Sequence, residues 1–290
     1  MKLTLFSRGL GVVEKDALEA VDAALGVEGE SVVVESAPSE AVPLGFRYLY
    51  AVPVLGTDGI PVCAGKARTL VCIGMNPNTA GMPNERKDEF KRDDPTVADL
   101  RRIAGNLLTA PAGAPFTRVV FLNMAPFRGV RGPNLGVRDS LTDLDLYRAE
   151  HEANCEIVPL VLERILADEG ELDVVAMWGD IRDKANGRFA LAGVRDLGGA
   201  FEALGVQSNV RWYCFGRTSF GSPRNYAGLR YTRGMSAAQK RLRAGTLSAD
   251  DLAAAASPSS WLSLAAPDAL IDVGALASIF ALPRGLSRAD

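Results

Sequence analysis

The stretch LVCIGMNPNTAG, residues 70–81, runs from an apolar segment into Asn76, a fixed turn at Pro77, and then residues too small to fill space. A continuous apolar run of this length suits a strand buried on both faces. Three more runs share the form: RVVFLN at 118–123, DVVAMWG at 173–179 and RWYCFG at 211–216. The segments between them carry helical periodicity. In DDPTVADLRRIAGNLL, Asp94 is placed to cap a helix and Pro95 takes the first helical position, where its missing N–H costs nothing. Val97, Leu100, Ile103 and Leu107 then form one apolar stripe. A longer helical pattern spans 144–167, with Pro159 expected to kink or divide it, and a weaker one spans 186–206. Strands alternating with helices predict an α/β fold, a three-layer α/β/α sandwich around a central, mainly parallel four-stranded sheet.

The flanks read differently. Residues 1–44 are acidic, with a short helix expected around Glu14–Leu25 and a strand at Val32–Val34, and are taken as an N-terminal extension. FRYLYAVPVL, 46–55, is strand-like, and TDG at 57–59 supplies the turn of a hairpin leading toward Val62. Residues 236–290 are alanine-rich, with Ser248 placed to cap and Pro258, Pro267 and Pro283 punctuating short helices. The expected division is therefore an extension at 1–44, an α/β domain at 45–235 and a helical tail packed on it at 236–290.

A hydrophobic content of 48% supports a sizeable core, while the longest apolar runs are strand-sized. No membrane span is expected, and the start lacks the succession of basic, apolar and small residues that marks an export signal. Cysteines at 63, 72, 155 and 214 are too far apart for paired metal or redox motifs. They are expected to be reduced, in a cytoplasmic monomer with no metal and no cofactor. The net charge is −3, yet residues 182–243 hold twelve Lys and Arg against three acids, a local +9 that leaves −12 for the rest. A face meant for a polyanion has this distribution, and so does a merely solvated basic surface.

In parallel α/β sheets, ligands sit at the carboxyl ends of strands. Here those ends carry Asn76-Pro77, Asn123 followed by Met-Ala-Pro-Phe-Arg, Trp178-Gly179, and GRTSFGSPRNYAGLRY. Either asparagine alone also reads as a turn-former bonding its own backbone, but two at equivalent strand ends would meet over one pocket. There is no GxxxxGK[ST] phosphate loop and no GxGxxG after a strand, which disfavours kinases and dinucleotide enzymes.

The succession GMNPNTAG, DDPT, FLNMAPFRG, AMWG and GSPRN resembles an uncharacterised bacterial and phage family with NPS-A, DPT, N, WG and G-x-PRHP blocks in this order. Those blocks are in turn similar to the uracil-DNA glycosylase superfamily, with its GQDPYH or GINPG motif, its base-reading asparagine, its WG strand end and its HPS or MPS loop. The resemblance covers about 45–235. It implies that Asn76 positions the attacking water, that Asn123 hydrogen-bonds a flipped pyrimidine, and that Gly221–Arg224 contacts phosphate and wedges into DNA. The chain departs from the pattern in two respects: its single histidine, His151, lies in a helical segment while Asn225 stands where the family has histidine, and no cysteine spacing supports the iron–sulfur cluster found in some branches.

Breaking an N-glycosidic bond builds positive charge on the sugar and negative charge on the leaving base. A fixed dipole for water and donors toward the base suit that chemistry, and neither Asn76 nor Asn123 needs to titrate to supply them. Asp93 or Asp94 adds a carboxylate beside the sugar, although capping alone also accounts for Asp94. Uracil-specific enzymes of the superfamily place a tyrosine two positions after the catalytic residue. Asn78 stands there in this chain, which implies room for a 5-substituted pyrimidine. Phe127 and Trp178 are candidate stacking partners for the base, although Trp178, which ends an apolar strand, reads more readily as a core residue. Arg217, Ser222, Arg224, Asn225 and Tyr226 are expected on DNA, with Arg230 and Arg233 on phosphates and Arg128 and Arg131 extending that surface.

The expected function is a monofunctional DNA glycosylase, since no lysine lies at the strand-end motifs to form a Schiff base. Its substrate would arise in repair or in defence against phages with modified DNA. A non-catalytic nucleic-acid-binding module and a hydrolase of free modified nucleosides are the alternatives. Arg224→Ala is expected to weaken duplex binding and lower the slope of log affinity against log salt by about one phosphate contact. Fluorescence anisotropy across a salt series measures both.

Overall fold

The computed structural model describes residues 2–36, 45–56, 60–62, 68–75, 77, 83–84, 89–90, 95–106, 115–128, 144–179, 187–205, 207–214, 223 and 270–271. Strands β1 (Lys2–Ser7) and β2 (Gly11–Asp16) form a hairpin, and helix α1 (Ala17–Gly26) leads on to β3 (Val32–Ser36) and β4 (Phe46–Pro53). After β5 (Thr69–Gly74), a separate two-residue pairing joins β6 (Pro83–Asn84) to β7 (Glu89–Phe90). The chain continues through α2 (Pro95–Asn106), β8 (Arg118–Asn123), α3 (Leu144–Glu169), β9 (Leu172–Ala176), α4 (Gly187–Gly205), β10 (Val210–Cys214) and β11 (Leu270–Ile271).

Among the described residues, one mixed sheet of nine strands has the order β11-β10-β9-β5-β8-β4-β3-β1-β2. The four apolar runs form adjacent parallel strands, with Leu70 opposite both Val119 and Asp173, and Val210 opposite Leu172. The sheet extends well beyond the four strands expected. Strand β4 pairs antiparallel with β8, β3 with β4, and β1 with both β3 and β2. Residues 2–36 thus supply three strands to the same sheet. The hairpin of β1 and β2 was not anticipated because GVVEKD buries almost nothing and lies at the sheet's edge. Helix α1 begins at Ala17 rather than Glu14, since Glu14, Lys15 and Asp16 pair with β1.

Other local expectations meet the structure directly. Leu55 bridges Pro61, and Val62 N–H donates to the Val54 carbonyl at 2.9 Å, closing a hairpin whose tip, 57–59, lies outside the described residues. Pro159 does not divide its helix: α3 runs unbroken from Leu144 to Glu169. Proline cannot donate to the carbonyl four residues back, but Val158, Val161, Leu162 and Ile165 are buried around it, and their packing outweighs one lost bond. Of the expected helical tail, only Leu270–Ile271 is described, as a short strand opposite Tyr213 and Trp212. No helix among the described residues is long and apolar enough to cross a membrane.

The pleat sorts the parallel strands into two cores. Val71, Ile73, Val120, Leu122, Val174, Ala176 and Trp212 face one side, where α1, α3 and α4 pack. Leu70, Cys72, Val119, Phe121, Val175, Met177 and Tyr213 face the other, against Val97, Leu100 and Ala104 of α2. This period-two alternation with both faces apolar is why the strands read as unbroken hydrophobic runs.

At the amino ends of these strands lies a buried ionic cluster. Asp173, 1% exposed, accepts from Arg68 Nη2 at 2.8 Å, Arg211 Nε at 2.6 Å and Tyr213 Oη at 2.9 Å. Glu169 accepts from the Thr69 N–H at 2.7 Å and lies 3.4 Å from Arg118. Burial alone would raise the Asp173 pKa, but its hydrogen bonds and charge pairing with Arg211 and Arg68 outweigh that and hold it below the ordinary carboxylate range. For Glu169 burial prevails, and its pKa rises.

These opposite shifts fix opposite signs. A carboxylate depressed in the folded state contributes stability above its unfolded pKa of about 3.9 and loses it as pH falls through the lower folded value. Glu169 instead favours folding at low pH and loses that contribution as pH rises from the ordinary toward the raised value. Asp173→Asn leaves the buried Arg68 charge with only the more distant Glu171, 3.5 Å away, as counter-ion and is expected to cost about 2–4 kcal/mol at pH 7. Because Glu169 is common to both proteins, the gap between wild type and Asp173→Asn should narrow only below about pH 4. Urea unfolding of both proteins at pH 7 and pH 3 measures it.

Candidate functional site

Helix α2, which connects β5 to β8, packs on one face of the sheet, whereas α3 and α4, which connect β8 to β9 and β9 to β10, pack on the other. The connections therefore diverge between β5 and β9, the topological switch point at whose carboxyl ends open α/β sheets bind ligands. Three of the sequence motifs issue from this place.

Asn123 ends β8 with 4% exposure, on the same pleat face as Val119 and Phe121. Its side chain lies over Gly74 of β5. A methyl group built on Gly74 would come 3.1 Å from Asn123 Oδ1 and 3.9 Å from the Met177 methyl. Glycine at 74 thus opens the space the carboxamide occupies. The Nδ2 amide is buried and has no hydrogen-bond partner among the described residues. Burying such a donor without an acceptor costs about 1–3 kcal/mol.

The backbone around Asn123 is fixed from several sides. Met124 N–H donates to the Gly74 carbonyl and Ala125 N–H to the Met75 carbonyl, both at 2.9 Å, so the chain leaving β8 runs beside the chain leaving β5. Asn154, fully buried on α3, donates from Nδ2 to the Asn123 carbonyl at 3.1 Å. Helix α4 reaches the same turn through Gly193, where a methyl group would fall 1.9 Å from the Met124 carbonyl oxygen. At the exit of β9, Gly179 adopts φ 77°, which favours glycine, and its N–H donates to the Pro223 carbonyl at 2.9 Å. That bond brings one residue of GSPRN to the end of the AMWG strand.

Of the other expected site residues, Phe127 and Trp178 are each 1% exposed within the larger core, and Phe127 bridges Phe46. Their rings are surrounded by protein and present no face for a base to stack on. Arg128, expected on the DNA surface, is 3% exposed and donates from Nη2 to Glu35 at 2.6 Å. Burial lowers its pKa against the opposing pull of Glu35, and the pairing occupies its charge inside the fold. Asn76, Asn78, Asp93, Asp94, Arg217, Ser222, Arg224, Asn225 and Tyr226 lie outside the described residues, as do Arg131, Arg230 and Arg233.

Sequence reasoning missed the supports. Asn154 and Gly193 carry no motif, Gly74 opens GMNPNTAG without a role read for it, and only the fold brings all three to Asn123. It also missed a group on α3 and α4, where His151, Cys155 and Asp196 place possible metal-ligating atoms within 4.8 Å of one another. Cysteine spacing alone gave no sign of it, because the partners are a histidine one helical turn away and a carboxylate on the next helix.

No protein-family model, curated protein or solved structure matches the chain in comparison. Two glycines of α4 separate close packing from helix propensity. Gly193→Ala is expected to lose about 1–3 kcal/mol, because α4 must move off Met124. Gly199→Ala meets open space and is expected to gain up to about 1 kcal/mol from helix propensity. Chemical denaturation of the two variants gives opposite shifts in midpoint.

Proposed function

We propose that the chain is a DNA glycosylase of the uracil-DNA glycosylase type that hydrolyses the bond between sugar and a flipped, 5-substituted pyrimidine, leaving an abasic site. The observation that carries this is the Asn123 amide: a buried donor with no partner among the described residues, at the carboxyl end of a parallel strand beside the divergence of the helices. A base entering the crevice supplies the missing acceptor through a pyrimidine oxygen. The resemblance of the strand-end motifs to that superfamily supports this assignment.

In the proposed reaction, water forms a bond to the sugar C1′ as the bond from C1′ to the pyrimidine nitrogen breaks, and the departing base takes the electron pair and then a proton. Charge grows on the base in the transition state, so a donor already fixed in a dry site binds that state more tightly than the substrate. Asn76, by its place after β5, orients the water through its side-chain carbonyl. Asp93 or Asp94 opposes the positive sugar. Asn78 and the small residues after it leave room at the pyrimidine 5-position. The basic segment at 182–243 holds the DNA, with Arg128 left out of that surface by its pairing to Glu35.

Incubation with genomic DNAs that carry different pyrimidine modifications, followed by mass spectrometry of released base and alkali cleavage of the strand, tests the activity. Release from at least one DNA is expected. Activity on nucleosides alone would replace the proposal with a nucleoside hydrolase, and salt-sensitive binding without product would replace it with a binding module. Asn123→Ala and Asn76→Ala are each expected to cut release by about 10²–10³-fold while duplex binding persists. Gly74→Ala should leave the unfolding midpoint nearly unchanged and still lower release, because its methyl crowds the Asn123 carboxamide.

A further inference from the structure

His151 and Cys155 lie one turn apart on α3, and Asp196 faces them from α4. His151 Nε2 is 2.8 Å from Asp196 Oδ2 and 3.5 Å from Cys155 Sγ. Both partners approach the same ring nitrogen. A single N–H points in one direction and satisfies one acceptor, and a relay of thiol, imidazole and carboxylate would use the two nitrogens separately. Three different donor atoms converging on one point is instead the arrangement of a coordination site.

The two separations from His151 Nε2 lie near those of a tetrahedral ion, and Cys155 Sγ and the Asp196 carboxylate lie within 4.8 Å of one another. With zinc bonds of about 2.0–2.1 Å to nitrogen and oxygen and about 2.3 Å to sulfur, tetrahedral angles put N and S about 3.6 Å apart and N and O about 3.3 Å apart. The observed N to S separation already fits, and the N to O pair needs to open by about 0.5 Å. Glu152 and Glu156 add negative charge near the thiol, with Arg195 as the nearby cation. Arg195 binds Asp196 through Nε to Oδ1 at 2.6 Å and Nη2 to Oδ2 at 2.8 Å. It can keep Oδ1 and so orient the carboxylate while Oδ2 ligates, as outer-shell partners do.

From this convergence we infer that His151, Cys155 and Asp196 form a binding site for a divalent ion of the zinc class, with a fourth position open to solvent. Burial pushes the Cys155 thiol up to about 12, so coordination must displace its proton to the medium as the metal–sulfur bond forms. The site links α3 to α4 next to Asn154 and Gly193, the two residues through which these helices hold the Asn123 turn. A bound ion therefore braces that turn from outside the crevice. The inference does not depend on the glycosylase proposal.

The test uses the full chain, reduced, chelator-treated and titrated with Co²⁺ as a spectroscopic probe and then with Zn²⁺. A thiolate-to-cobalt charge-transfer band saturating at one equivalent and displaced by one equivalent of Zn²⁺ is expected. Cys155→Ser should abolish the band. His151→Gln and Asp196→Asn should each weaken Zn²⁺ binding at least tenfold, and Cys63→Ser should change nothing. Far-UV circular dichroism verifies folding of each variant, and Asp196→Asn, at the surface, supplies the decision should Cys155→Ser misfold. Absence of a thiolate band in the wild type, or Zn²⁺ affinity unchanged in Asp196→Asn, overturns the assignment.

Discussion

The carboxyl end of β8 is held where three backbones press together, and the candidate site depends on that crowding. Gly74 admits the Asn123 carboxamide, Gly193 lets α4 touch the Met124 carbonyl, and Asn154 fixes the Asn123 carbonyl from α3. The Gly193 contact tolerates no added volume, while a methyl group at Gly74 would press on the Asn123 carboxamide, since densely packed interiors relay even a methyl group to their neighbours. The result is a side-chain amide with little freedom to rotate toward a protein acceptor. Among the described residues its Nδ2 donor meets no acceptor.

Polarity is divided between the two ends of the parallel strands. The amino ends carry full charges, Arg68, Asp173, Arg211, Glu169 and Arg118, mutually paired and mostly buried. Such pairs add little net stability over apolar packing but are costly to break, so they pin the register of β5, β9 and β10. The carboxyl ends carry a neutral amide and glycines. A neutral donor in a dry site can respond to charge that develops on a leaving base, whereas a permanent charge there would also bind the ground state and need a buried partner of its own.

The four parallel strands and the four helices were legible in outline, because each strand is apolar on both faces and the helices carry helical periodicity. The antiparallel half was less so. Lys2–Ser7 and Gly11–Asp16 are short and partly exposed, and nothing local says that they extend a sheet whose other members begin at Val32. Asn123 was legible as a residue at a strand end. Its supports were not, since Asn154 is 31 residues away and Gly193 lies on a different helix. Arg128 looked like a surface cation because Glu35, its partner, is 93 residues upstream. Trp178 is buried as its place at the end of an apolar strand suggests, whereas Phe127 looked available to a base because sequence cannot say which aromatic after a strand end turns inward.

The side-chain amide of Asn123 gives the most direct test of the central claim. Its NH₂ resonances, assigned by comparison with Asn123→Ala, can be followed by NMR as a duplex bearing a modified pyrimidine is added to protein disabled by Asn76→Ala. A saturable shift of that one amide pair, absent with an unmodified duplex of the same sequence, is what a base-reading donor requires. An Asn123 amide that stays unmoved while backbone signals elsewhere report binding would contradict the account.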